Sequence, residues 1–273
     1  MTRLSPAGGI ATGVFAVLSG FAATIGAWKL LGISWVAFAA MALGIPLGKR
    51  SFGGRPWALV WGYGLASGAM VTSAAVFLIP QAIAHDASFG GFGVALGLLV
   101  GFASHTAGHR LAHLDLPVDR TVAELSAHAF SAGLIIGIVY GNMPDLGPLL
   151  GLAIVSHKGP AGYAAARRLV SNGRDPSVLL VPAAGVGIAA IGASLVSLPA
   201  APSVRGIVFG FAAGIFLHVA MDFLPRCEIG SDVHDLLRVS GDAHALLDRL
   251  RTHAVVSTAL GGVAVFVAWL ALS

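Results

Sequence analysis

The sequence predicts an all-α protein, a polytopic transmembrane helix bundle of about nine spans. Three observations predict it. Of the 273 residues, 56% are hydrophobic and only 10% charged, with a mean hydropathy of +0.86, whereas about a quarter of a water-soluble domain is charged. The apolar residues fall into runs of the roughly 17–25 residues that a hydrocarbon core of about 30 Å requires. The basic residues then alternate between the intervening loops in phase with those runs.

The first run, 9–30, follows Arg3 and is longer than a signal-peptide core, with no small-residue cleavage site, so it is expected to persist as a span. The second, 32–48, begins after little more than Gly32, which leaves a hairpin and one long broken helix as alternatives. Further runs occupy 57–84, 89–109, 121–141, 146–167, 177–198, 204–225 and 253–272. With the N-terminus inside, the cytoplasmic loops hold Arg3, then Lys49, Arg50 and Arg55, then Arg110 and Arg120, then Arg167, Arg168 and Arg174, then Arg226, Arg238, Arg249 and Arg251. Lys29 and Arg205 fall outside and Lys158 lies within a span. This bias predicts a cytoplasmic N-terminus and an external C-terminus in a plasma or inner membrane.

Composition also narrows the partners. The formal charge of +4 would suit nucleic acid only if it were clustered on one water-facing surface, and here it is spread over short loops. The lipid bilayer is the expected partner, with no nucleic acid. Cys227 is the single cysteine, so no intrachain disulfide forms. The 37 glycines suit close helix packing in lipid and permit a homodimer. Pro46, Pro80, Pro160 and Pro225 each free a backbone carbonyl, either toward a cavity or at a simple kink.

Ionisable residues inside spans are costly and therefore candidates for function. They are Lys158 beside His157, Glu124 four residues before His128, His218 four residues before Asp222, and the row His105, His109 and His113. A spacing of four places side chains on one helical face, where they can share an ion or proton or bond each other. Neutral histidine is the commonest transition-metal ligand, and carboxylates add neutralising charge. The row of three suits a cytoplasmic metal relay or a polar stripe facing a neighbour. Glu124 and Asp222 suit an exit site or interfacial pairs with loop arginines. In the polar segment at about 226–252, Asp232-Val-His234 and Asp242-Ala-His244 form a near-repeat, read as amphipathic turns at the membrane surface or as metal-binding pairs.

Residues 128–133 read His128-Ala-Phe-Ser131-Ala132-Gly133, and residues 157–162 read His157-Lys158-Gly-Pro160-Ala161-Gly162. With Phe77-Leu-Ile-Pro80-Gln81 and Ala213-Gly214-Ile-Phe216-Leu-His218-Val-Ala-Met-Asp222-Phe-Leu-Pro225, these segments resemble, in order and spacing, spans of the ZIP family of divalent-metal transporters. The resemblance runs over roughly 33–270. It implies eight ZIP-type core spans plus one N-terminal span: residues 1–31 as the extra span, and 32–273 as a ZIP-like bundle with a cytoplasmic loop at about 226–252.

It further implies alternating-access transport of a zinc-like divalent cation as substrate. The implied ligands are His128, His157, His218, Asp222 and Glu124; Lys158, Ser131 and Pro160 line the site, and His105, His109 and His113 form the relay. No cofactor is required and no enzyme activity is expected. Ala132 and Ala161 stand where the family usually carries carboxylates, and Lys158 stands in place of a second-metal ligand. Two alternatives therefore accompany the first reading. One is a ZIP-fold relative that carries another solute or is regulatory. The other is an intramembrane metal hydrolase built on His105, His109, His218 and Asp222, for which no His-Glu-x-x-His or serine-elbow pattern is present.

Overall fold

The computed structural model describes residues 5–50, 57–111, 119–143, 148, 151, 155, 157–228 and 243–272. Among them every regular element is helical: α1 (Pro6–Thr24), α2 (Trp28–Arg50), α3 (Trp57–Ser73), a π-helical turn (Ala74–Leu78), α4 (Ile79–His85), α5 (Ala87–Leu111), α6 (Arg120–Asn142), α7 (Lys158–Ser171), a 3₁₀ turn (Pro176–Leu179), α8 (Leu180–Ala193), α9 (Pro202–Glu228) and α10 (Ala243–Leu272). Among the described residues seven helical stretches are long and apolar enough to cross a membrane, and the shorter apolar helix Ala87–Ala103 accompanies them. The chain is thus a helical, multi-span membrane protein. The predicted span at 146–167 falls partly outside the described residues, and its second half is α7.

The first two runs are separate helices, but they do not part at Gly32. Gly26 makes the break with φ 73°, a left-handed conformation that costs glycine little, whereas Gly32 lies inside α2. The last helix begins about ten residues before its apolar run and so takes in 243–252 of the expected cytoplasmic loop. Residues 226–228 of that loop prolong α9.

Local chemistry explains the helix starts. Ser5 caps α1, its hydroxyl oxygen accepting the Gly8 N–H at 3.2 Å, with Pro6 following. Asp119 caps α6 through the Thr121 N–H at 2.8 Å, and Asp175 caps the 3₁₀ turn through the Ser177 N–H at 3.0 Å. Pro46 and Pro225 sit inside continuous helices. Pro80 follows the π turn, and Pro160 is in the first turn of α7, where no intrahelical donor is required.

The chain divides into two units, each drawn from two separate stretches: residues 1–52 with 103–201, and 53–102 with 202–273. In the first, α2 lies on α7 and α6 on α8, with α1 against α8. Glycine makes these seams close. Gly133, Gly137 and Gly141 of α6 face the carbonyls of Val186, Ala190 and Ser194, one helical turn at a time. Gly44 of α2 lies so near α7 that a Cβ there would stand 2.6 Å from the Gly159 carbonyl oxygen. In the second unit, Gly64, Gly68 and Gly261 form the α3–α10 seam, and Gly93, Gly97, Gly210 and Gly214 the α5–α9 seam. Small residues let helix backbones approach where lipid offers no hydrophobic drive to associate. Large apolar side chains such as Val17 and Phe21 on α1 and Val263 and Val267 on α10 remain exposed, as a lipid-facing surface requires.

A candidate histidine pair

The first unit brings together two residues that the sequence holds 29 positions apart. His128 projects from the middle of α6, and His157 is the residue that opens α7. Their rings meet with Nε2 to Nε2 at 2.9 Å, centroids 5.1 Å apart and planes tilted by 55°. At that distance one Nε2–H donates and the other Nε2 accepts, so the two rings hold opposite Nε2 protonation. His157 has no solvent exposure, and neither has Lys158 beside it. Lys158 adjoins His157 in sequence and is the first residue of α7. Its Nζ has no hydrogen-bond partner among the described residues.

The surroundings are small and apolar. Ala132, one turn beyond His128, is 3% exposed, and Ala161, one turn beyond His157, is 5% exposed. In the same unit Ile45, Val122, Ala165, Ala166, Leu169 and Leu179 form an apolar cluster. The α2–α7 glycine contacts fix the start of α7, while the α6–α8 seam holds the helix that carries His128.

The remaining candidates are distributed as follows. Glu124 is half-buried on α6, one turn before His128. Ser131 is exposed and its hydroxyl donates to the Ala127 carbonyl at 2.9 Å, turned back onto its own helix. Pro160 is half-buried in the first turn of α7. His218 belongs to the second unit, where its ring lies against Gly101 of α5 and would be 2.7 Å from a Cβ there. Asp222 lies one turn further along α9, its side chain outside the described residues. The side chains of His105 and His109 on α5 are likewise outside them, as is all of His113, and so are the side chains of the Asp232/His234 and Asp242/His244 pairs.

Among the described residues no three histidine, cysteine or carboxylate side chains converge to hold a metal ion. Among the described residues the pair offers two ring nitrogen donors with Lys158 next in sequence, and no carboxylate joins them in a cluster of three. A cation held between both Nε2 atoms would require the donating ring to move its proton to Nδ1. Water or an anion would complete its shell.

Sequence reading passed over one polar cluster in the second unit. Trp61 donates its indole N–H to His253 Nδ1 at 3.2 Å, and the Trp57 ring meets His253 edge-on at 4.3 Å between centroids. The Trp57-x-x-x-Trp61 spacing, four residues on one helical face, was the available signal. No protein-family model matches the chain, and no curated protein matches its sequence.

Proposed function

We propose that this protein is a multi-pass transporter of ZIP type that moves a divalent transition-metal cation by alternating access, with His128 and His157 as the substrate's nitrogen ligands. The observation that carries the reading is the meeting of these two side chains at 2.9 Å from separate helices. They are the two histidines on which the resemblance rests. Neutral imidazole is a good ligand for zinc-like ions, and a buried site between helices of a bundle is where transported ions are held. Glu124, one turn away on α6, is the nearest carboxylate in sequence able to add charge. His218 and Asp222 on α9 are proposed as further ligands on the path, and His105, His109 and His113 as its cytoplasmic relay. The membrane is a plasma or inner membrane with the N-terminus cytoplasmic, in keeping with the loop arginines.

Uptake of zinc, manganese, iron, cobalt and cadmium into proteoliposomes tests the reading. Saturable uptake is expected for the parent protein and none for the H128A/H157A double variant. Equal uptake by both, or no uptake above empty liposomes, would sink the proposal.

A second reading is favoured by one feature, the buried Ala132 and Ala161 where a metal site would gain most from carboxylates. In it the protein retains the fold and carries another solute or acts as a regulatory relative.

A further inference from the structure

We propose that the end of the first unit where α2 and α7 finish is a binding surface for the headgroups of anionic phospholipids, with Lys49 and Arg50 of α2, Arg168 of α7 and Arg174 of the following turn as its cationic contacts. The inference depends on the multi-span fold and not on the transport reading.

The register of the two helices comes first. A Cβ on Gly44 would stand nearest the Gly159 carbonyl oxygen and the Tyr163 amide, and a Cβ on Gly48 nearest the Tyr163 carbonyl oxygen, with the Arg167 amide at 3.2 Å. Four residues of α2 thus match four of α7, so the helices run side by side in the same direction. Continuing the match brings Lys49 and Arg50, the last residues of α2, level with Arg168 near the end of α7. The chain then turns at Gly173, with φ 68°, and the Arg174 amide bonds back to the Leu169 carbonyl at 2.8 Å. Four basic residues therefore gather at one end of the unit, and all four are exposed.

Their charge is not neutralised within the protein. None of the four takes part in an ion pair among the described residues. Asp175, next in sequence to Arg174, accepts from the Ser177 amide and hydroxyl. Asp119 accepts the Thr121 amide at the start of α6, whose Val122 packs with Ile45 and Leu169 at this same end. Nor are the cations needed to cap α7, because the carbonyls of Arg168, Leu169 and Val170 already accept the Asn172, Gly173 and Arg174 amides. A helix C-terminus carries about half a negative charge, so two of them offset about one of the four positive charges.

The occupant follows from what adjoins the cluster. Leu47 and Leu43, 57% and 66% exposed, lie one and two turns before Arg50 on the same face of α2. An apolar strip that ends in a basic cluster matches a phospholipid, whose acyl chain lies along the leucines while its phosphate meets the cations. A soluble polyanion such as RNA would match the charge and leave the leucines uncovered. The leaflet is the cytoplasmic one in the orientation proposed above.

The test is native mass spectrometry of the whole protein released from mixed micelles that hold equal amounts of phosphatidylglycerol and phosphatidylcholine with the same acyl chains. The parent protein is expected to retain phosphatidylglycerol preferentially. At low salt that preference should fall about fivefold for each basic residue removed, in both Lys49→Gln/Arg50→Gln and Arg168→Gln/Arg174→Gln. Arg249→Gln/Arg251→Gln removes two exposed charges from α10 and should keep the preference. Equal retention of the two lipids by the parent, an equal fall in all three double variants, or a preference that both the α2 and the α7 variants keep overturns the proposal. Two arms use the parent protein alone and so do not depend on any variant folding. The preference should shrink as ammonium acetate is raised to about 0.5 M, and glycerol 3-phosphate in excess at matched ionic strength should leave it in place. A preference indifferent to salt, or one abolished by the soluble phosphate, overturns the proposal. Failure of metal uptake in proteoliposomes would remove the transport reading and leave this surface standing.

Discussion

The α6–α8 seam can be probed by adding a single methyl group. A Cβ on Gly137 would be driven onto the Ala190 carbonyl oxygen and would stand 2.8 Å from the Ala193 Cβ. Carbon atoms rest at about 3.5–4.0 Å, so Gly137→Ala forces the two helices apart by roughly 1 Å, and overpacking of this kind costs about 1–3 kcal/mol. The gain in helix propensity from glycine to alanine, up to about 1 kcal/mol, offsets part of it. Gly192 supplies the control. It lies on α8, and a Cβ added there would meet no atom within 4 Å, so Gly192→Ala takes the same propensity gain without the collision. The two variants should therefore differ by the overpacking cost alone, about 1–3 kcal/mol. Thermal or dodecyl-sulfate unfolding of the purified variants measures it, with Gly137→Ala below the parent and Gly192→Ala at or above it. Equal midpoints for the two would refute the claim that backbone contact at glycine holds this seam.

Two further substitutions test buried polar contacts. Tyr140 is 6% exposed and its oxygen accepts the Gly151 N–H at 2.9 Å; Tyr140→Phe should leave that amide unpaired and lower stability by about 1–3 kcal/mol, and an unchanged unfolding midpoint would show that the amide finds another acceptor. Trp61→Phe keeps an aromatic ring but loses the N–H that reaches His253, with an expected cost of about 0.5–1 kcal/mol. In a double-mutant cycle with His253→Ala that cost should vanish, and full additivity would mean the two side chains do not act through this bond.

The sequence made the spans legible because lipid imposes a simple rule, a length of apolar residues bounded by charge. The run at 121–141 became α6, Arg120–Asn142, and the run at 204–225 became α9, Pro202–Glu228. The break between α1 and α2 was less legible. Gly26 and Gly32 are both glycine, and only the backbone shows which takes the left-handed turn. The π turn before Pro80 has no composition of its own. At the candidate site, the helical spacing of four drew attention to Glu124 with His128, but spacing along one helix carries no information about a partner on another. The meeting of His128 with His157 depends on the glycine seams that fix α6 and α7, and small residues announce close packing without saying against what. Lys158 was visible as a charge inside a span, whereas its complete enclosure is a property of the fold alone.

The way each unit is drawn from two stretches of chain sets an order on its making. Residues 1–52 meet their partners by the time residue 201 has been synthesised, but α3 and α5 must wait for α9 and α10. About a hundred residues separate Gly93 from Ile207, its neighbour in the α5–α9 seam. At a ribosomal rate of about 5–20 residues per second, that interval is several seconds. Throughout it the glycine faces of α3 and α5 that later meet α10 and α9 have no helix to pack on, although Gly90 of α5 already lies against Ala82 of α4. A chain halted after Ala201 would hold both stretches of the first unit and only the first stretch of the second.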